Sequence, residues 1–235
     1  MNILITGTNR GLGFSMTKAA VKRGYTVFAG VRSLETEHQM LQELQKEYPE
    51  QIKIVPLDVS NENSLKETSN HLKEENVKLD VIVNNAGILF TESRATSVTD
   101  LDLEEGFKTF DINTFGPIRM VKHFMSLLNG EGSKIINISS DAGRIEDTPW
   151  LFGSDYFYGM SKTAVNMFTE KLRRSEPQFK VVGIHPGWCH TDMGGKEAPL
   201  SPDSSAEAML NIIDETTKIG WDYCFVDYEG NKLHF

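Results

Sequence analysis

Tyr158 and Lys162 stand four residues apart in "SDYFYGMSKTAVNM", residues 154–167, a stretch that reads as helix. At that spacing two side chains lie one above the other on the same helix face. A phenol beside an ammonium is either ordinary packing or an acid whose proton is easier to release, because a nearby positive charge stabilises the phenolate. Tyr156 is a rival phenol, but the fourth residue after it is Met160, which carries no charge. A second chemical feature is the glycine turn "TGTNRGLG", residues 6–13. Gly7 allows a sharp turn, Gly11 lets the backbone approach a pyrophosphate, and Gly13 permits close helix–strand packing. The first amides of the helix that follows would then face the phosphates of a dinucleotide.

The elements that must position these groups alternate along the chain. β-rich runs ("NILIT", "YTVFAGV", "IKIVPLDV", "LDVIVNN", "SKIINISS", "FKVVGIHPG", "YCFVDY") are separated by helical patterns over about 11–23, 34–48, 61–75, 101–128, 155–174 and 202–218. Nearly continuous apolar strands between helices predict an α/β Rossmann-type fold: a doubly wound parallel sheet of about seven strands, flanked by helices on both faces. No proline-rich linker, repeat or low-complexity tract interrupts 1–235, so one domain carrying both the nucleotide turn and the catalytic residues is expected. Ligands of such sheets bind beyond the carboxyl ends of the strands, and every motif singled out here falls at such an end.

Composition narrows the partners. A net charge of -9 argues against general binding to nucleic acid or an anionic membrane, both of which reward a basic surface. No run reaches the ~18 apolar residues of a membrane span, and "MNILITG" leads straight into strand and turn with no room for a secretory leader. A cytoplasmic protein is expected. Cys189 and Cys224 form no CxxC pattern and read as free thiols in a reducing compartment. His185 and His190 flank "PGW" without a carboxylate or thiolate cluster at ligand spacing; they read as strand-end and loop residues, and no metal is expected.

NAD(H) sites usually place a carboxylate at the end of the second strand, against the ribose 2′-hydroxyl. Here "FAGVRS" offers Val31 and Arg32 and no acid, while Arg10 sits inside the glycine turn. Two guanidiniums suit a 2′-phosphate through charge-assisted bonds, which favours NADP(H) over NAD(H).

With "TGTNRGLG", "LDV" (57–59), "NNAG" (84–87), "DINTFGP" (111–117), "INISS" (136–140), "YGMSK" (158–162) and "HPGWCHTDM" (185–193) in this order, the chain resembles the short-chain dehydrogenase/reductase family in its single-domain branch. It is especially similar to C-factor-like proteins and sniffer-type carbonyl reductases. The resemblance implies that Gly7, Thr8, Asn9, Arg10, Gly11, Leu12 and Gly13 hold the dinucleotide phosphates and that Arg32 selects the 2′-phosphate. Asp58 and Val59 would sit at the adenine, and Asn84, Asn85, Ala86 and Gly87 near the ribose. Pro186, Gly187 and Thr191 would hold the carboxamide of the nicotinamide. Asn113, Ser140, Tyr158 and Lys162 would form a catalytic tetrad, with Tyr158 and Lys162 also touching the cofactor. The connection "DAGRIEDTPWLFGSDYF" is longer than the family commonly has. It leaves Ser139 and Ser140 as alternatives, and the family pattern selects Ser140.

Such a tetrad reduces a carbonyl. Hydride arriving at carbon leaves negative charge on oxygen, and a proton must come from nearby. Tyr158 would give it, Lys162 would lower the phenol's pKa and hold the nicotinamide ribose, Ser140 would bond the substrate oxygen, and Asn113 would position a water relaying protons to Lys162. Trp150, Leu151, Phe152 and Trp188 could form an apolar mouth, and the glycine-rich segment 192–199 a short mobile lid. A small or medium aldehyde, ketone or quinone, or the corresponding alcohol, is the expected substrate. A dinucleotide-binding signalling or regulatory protein of the C-factor type is the alternative. Homodimer, homotetramer and monomer all stay open. If Arg32 selects the 2′-phosphate, Arg32→Asp shifts preference toward NADH, read as the ratio of kcat/KM for the two cofactors; an unchanged ratio counts against it.

Overall fold

The computed structural model describes residues 1–36, 38–90, 97–146 and 155–235. Seven strands form one parallel sheet: β1 (Asn2–Thr6), β2 (Thr26–Val31), β3 (Ile52–Pro56), β4 (Val81–Asn84), β5 (Lys134–Ile138), β6 (Lys180–His185) and β7 (Phe225–Asp227), in the order β3-β2-β1-β4-β5-β6-β7. The chain winds outward from β1 to β3, then returns to the other side of β1 with β4. That reversal opens a crevice between the carboxyl ends of β1 and β4, the place where such sheets bind ligands.

Alternation along each strand divides the core. Ile3 and Ile5 face α1 (Gly11–Lys22), α2 (Gln39–Glu47) and α7 (Pro202–Ile213) with Met16, Leu41 and Met209, whereas Leu4 and Phe28 face the opposite layer. There Leu65 and Leu72 of α3 (Glu62–Glu74), Phe124 of α5 (Gly116–Phe124) and Leu172 of α6 (Tyr156–Ser175) complete the packing. Burial on both faces explains why the strands read as unbroken apolar runs.

Three expected helices differ in detail. The pattern over 34–48 is helical only from Gln39, because the chain first folds back at His38, whose Nε2–H donates to the Ser33 carbonyl at 2.7 Å. The 101–128 stretch is interrupted: α4 (Leu103–Phe110) passes into a π-helical turn over Asp111–Phe115 before α5 begins. Asn113 lies in that turn with both ends of its amide bonded to Ile88, and Arg119 reaches back to Asp111 at 2.5 Å. The last helix stops at Ile213 rather than near 218. Glu215 takes a left-handed φ of 61°, and its carboxylate is held by Lys180 at 2.6 Å and Lys134 at 3.0 Å.

A file of buried polar side chains fastens α6 to the sheet. Asn84 Nδ2 donates to Asn137 Oδ1 (2.7 Å), Asn137 Nδ2 donates to Thr169 Oγ1 (2.8 Å), and Thr169 donates to the Val165 carbonyl (2.7 Å). Thr169→Val keeps the shape and strands the Asn137 amide, so unfolding free energy should fall by about 1–3 kcal/mol. Urea titration should show the lower midpoint with an unchanged slope.

Candidate active site

The turn after β1 is held open by backbone geometry. Gly7 and Gly11 have φ of 70° and 55°, and a Cβ on Gly13 would fall 2.2 Å from the Gly7 carbonyl oxygen and 2.5 Å from Asn85 Nδ2. Asn85, at the end of β4, donates from Nδ2 to the Thr6 carbonyl at 2.8 Å and the Gly7 carbonyl at 3.2 Å. In return Thr6 Oγ1 accepts from the amides of Asn85 and Ala86 at 3.0 and 2.9 Å. Arg10 occupies the N-cap of α1 without supplying a side-chain acceptor, and the first turn carries no acid. The first amides of α1 are therefore left for an external anion.

Asn9, Arg10, Gly11, Leu12, Gly13, Asn85, Ala86 and Gly87 all border one cleft of about 650 Å³. Two of the expected residues turn their side chains away from the cleft. Thr8 is fully buried behind the turn, its hydroxyl and amide both donating to the Gly30 carbonyl at 3.1 Å. Asn84 turns its side chain into the sheet toward Asn137. Neither side chain borders the cleft: the Thr8 hydroxyl and the Asn84 Nδ2 both donate inside the strand layer.

At the end of the cleft beside β2, Arg32 is exposed and no acid takes the strand-end position. Ser33, Thr36 and the buried His38 border the same end. Asp58 lines it too, with Oδ1 accepting from the Ser60 amide (3.0 Å) and hydroxyl (2.6 Å), and Val59 packs against Gly116. Arg10 reaches across to Asp192 at 2.8 Å, but both side chains are largely exposed, so the pair is weak.

The other end gathers groups from three elements. Tyr158 and Lys162 face the cleft from α6, with Lys162 Nζ 5.5 Å from the centroid of the Tyr158 ring. The ammonium is buried and donates to the Ile138 carbonyl at 2.8 Å; burial pulls its pKa down to about 8. Ser140 is buried at the cleft wall, its Oγ accepting from the Ala142 amide at 3.1 Å and donating to Asp141 Oδ1 at 3.2 Å. The Ser139 hydroxyl is committed to Asn166 Oδ1 at 2.6 Å, which leaves Ser140 as the better placed of the pair. Asn113 is buried, bonded to Ile88 N at 2.8 Å, Ile88 O at 2.9 Å and Ser161 Oγ at 3.1 Å. Its side chain fastens the loop after β4, and a Cβ on Gly87 would lie 3.3 Å from Asn113 Oδ1 and 3.8 Å from Lys162 Nζ.

Pro186, Gly187 and Thr191 follow β6 along the cleft. Thr191 Cγ2 would stand 3.5 Å from a Cβ on Gly11, so this loop meets the glycine turn. The expected lid is stitched to its base: Trp188 Nε1 donates to the Gly194 carbonyl at 2.8 Å, and the Gly195 amide to the Thr191 carbonyl at 2.8 Å. Opening it means breaking these bonds. Trp150, Leu151 and Phe152 lie outside the described residues. Sequence reasoning missed Ser33, just past the second strand, and His38, placed inside a presumed helix, as well as Asp141 and His185, which border the cleft with Ser140. The signal for His185 was its position at a strand's carboxyl end.

The parts fit a nicotinamide dinucleotide. They comprise a glycine cradle with left-handed turns at Gly7 and Gly11 and no room for a Cβ at Gly13, uncapped helix amides, an arginine where an acid would repel phosphate, and a buried ammonium beside a phenol at the far end.

Residues 1–200 match the family model described as short chain dehydrogenase. Carbonyl reductase Sniffer of D. melanogaster is 31% identical with a TM-score of 0.89, covering 100% of this chain and 99% of that one. An NADPH-bound carbonyl reductase from chicken fatty liver is 29% identical with a TM-score of 0.87, covering 100% and 94%. C-signal of Myxococcus xanthus is 32% identical over 158 residues, 66% of this chain and 92% of that protein. Estradiol 17-beta-dehydrogenase 2 of Rattus norvegicus is 30% identical over 92% of this chain, which spans about half (54%) of that protein's length.

Burial of Lys162 sets a pH dependence. Between about pH 8 and 10.5 the unfolded chain keeps the lysine proton that the folded chain has released, so folding stability gains from this group as pH rises. Lys162→Met removes that gain, on the order of 3 kcal/mol across the window. Urea unfolding of both proteins at pH 7.5 and 10.5 should show the variant's advantage shrinking as pH rises.

Proposed function

The chain belongs to the short-chain dehydrogenase family of oxidoreductases, and from that premise we propose that it reduces small or medium aldehydes, ketones or quinones with NADPH, using Tyr158 as the general acid. The observation that carries this reading is the shared cleft. A phenol and a buried ammonium, one turn apart on α6, look into the same space as the glycine cradle between β1 and β4. One sheet supports both, in keeping with a single domain that binds the cofactor and performs the chemistry.

The residues would divide the work as follows. Gly7, Gly11, Gly13 and the amides of α1 hold the pyrophosphate, Arg32 faces the 2′-phosphate, and Lys162 reaches the nicotinamide ribose. NADPH bound in this way supplies hydride to the carbonyl carbon. Ser140 turns its hydroxyl from Asp141 to the substrate oxygen and stabilises the charge that develops there. Tyr158 then gives its proton to that oxygen, and the nearby ammonium stabilises the phenolate left behind. At neutral pH a lysine with a pKa of about 8 still carries most of its charge, so this assistance is present where the phenol must act. The roles run in reverse for alcohol oxidation.

Preference for NADPH is supported by the exposed Arg32 and by the lack of an acid at the end of β2. The NADPH-bound carbonyl reductase among the similar structures agrees with it. A second reading, a dinucleotide-binding signalling protein, is favoured by similarity to C-signal. A pure sensor has no use for a hydroxyl and a phenol bordering the same cleft, which supports the enzyme.

Loss of NADPH absorbance at 340 nm against a panel of carbonyls separates the two. Turnover is expected, and binding without any turnover would favour the sensor. Tyr158→Phe should lower kcat by about 10²–10⁴-fold and leave the NADPH Kd nearly unchanged; a fully active Phe variant removes Tyr158 from the chemistry.

A further inference from the structure

We infer that His185 is a positioning residue, a neutral imidazole whose Nδ1 accepts the Asp141 amide and thereby sets the turn that presents the Ser140 hydroxyl to the cleft. The inference rests on the proposed role of Ser140.

The β5–β6 ladder ends at a bond from the Ser139 amide to the Ile184 carbonyl, 2.8 Å. Beyond it the chain leaves the sheet and makes a 3₁₀ turn over Asp141–Gly143, capped by the Ser140 side chain. The next amide facing β6 is that of Asp141, and no strand carbonyl takes it. His185, the last residue of β6, supplies the acceptor instead: its Nδ1 lies 3.1 Å from Asp141 N. An N–H donor requires an unprotonated Nδ1, so the ring carries its proton on Nε2.

Both hydrogen bonds of the Ser140 hydroxyl go to this same turn, to the Ala142 amide and to Asp141 Oδ1. The aim of the hydroxyl therefore follows the turn. On its α6 side the turn rests on backbone, since a Cβ on Gly143 would lie 2.7 Å from Lys162 C. On its β6 side it rests on His185. The two supports face each other, and removing one lets the turn tilt.

Protonation would reverse the contact. Nδ1 also stands 3.6 Å from Asp141 Oδ1, so an added proton would repel the amide and draw in the carboxylate that Ser140 now uses. Burial of the ring lowers its pKa and Arg144 acts in the same direction. The carboxylates of Asp141 and of Asp227, its register partner on β7, act against it. Tyr158 and Lys162 border the same cleft from α6. The neutral form is thus the working one at neutral pH.

The wild-type protein decides the first point without any variant. Histidine ¹⁵N spectra at pH 7.5 should show His185 as the Nε2–H tautomer, and an Nδ1–H tautomer overturns the assignment. In His185→Leu, exchange of the Asp141 amide should quicken roughly tenfold or more, while His185→Gln, whose side-chain oxygen can accept, should stay near wild type. Equal exchange in all three proteins overturns it. In turnover, His185→Leu should lower kcat by about 10²-fold with the NADPH Kd unchanged. His185→Gln should recover most of that loss and flatten the acid limb of the pH profile; an unimpaired Leu variant overturns the role. If wild type turns over no carbonyl, the reductase reading fails, while tautomer and exchange still decide the placement of His185.

Discussion

Lys162 holds an ammonium at 5% exposure, where desolvation opposes the charge and only an oriented acceptor offsets the cost. The Ile138 carbonyl, at the end of β5, is that acceptor. Much of the surrounding construction keeps the arrangement in place. Gly143 and Gly159 let α6 approach the serine turn at backbone contact: added Cβ atoms would lie 2.7 Å from Lys162 C and 2.9 Å from the Ala142 carbonyl oxygen. Thr163 donates to the Gly143 carbonyl at 2.8 Å, closing the contact from the helix side. The phenol one turn earlier is carried along, since the helix fixes its position relative to the lysine.

The polar file beneath α6 serves the same end. An all-apolar interface between β5 and α6 would bury more surface, yet it would permit the helix to slide along the strand. Bonds from Asn137 to Thr169 and from Ser139 to Asn166 allow one register. Ser139 thereby becomes a structural residue, and its neighbour Ser140 is left to face the cleft. The π-helical turn at Asp111–Phe115 makes a comparable trade, giving up regular α-helix so that Asn113 can clamp the loop after β4.

Charge is sorted in a similar way. The chain is acidic overall, at -9, and the cleft mixes both signs: Arg10, Arg32 and Lys162 border it together with Asp58, Asp141, Asp155 and Asp192. Many other cations are paired with acids: Arg23 with Glu207 and Asp214, Lys122 with Glu62, Arg173 and Arg174 with Glu170.

What could be read from residues alone was whatever local periodicity and local backbone need express. The alternation of apolar strands and helices determined the parallel sheet, the glycines at 7, 11 and 13 determined a tight turn in which position 13 has no room for a Cβ, and the four-residue spacing put Tyr158 over Lys162. Tertiary structure decided which polar groups were already spoken for. Thr8, Asn84 and Ser139 look available in the sequence, but their partners Gly30, Asn137 and Asn166 come from elements distant along the chain. The same distance hid His185, whose ring meets Asp141 across 44 residues. Hydrogen-bond satisfaction is a property of groups brought together by folding, and one-dimensional spacing carries no record of it.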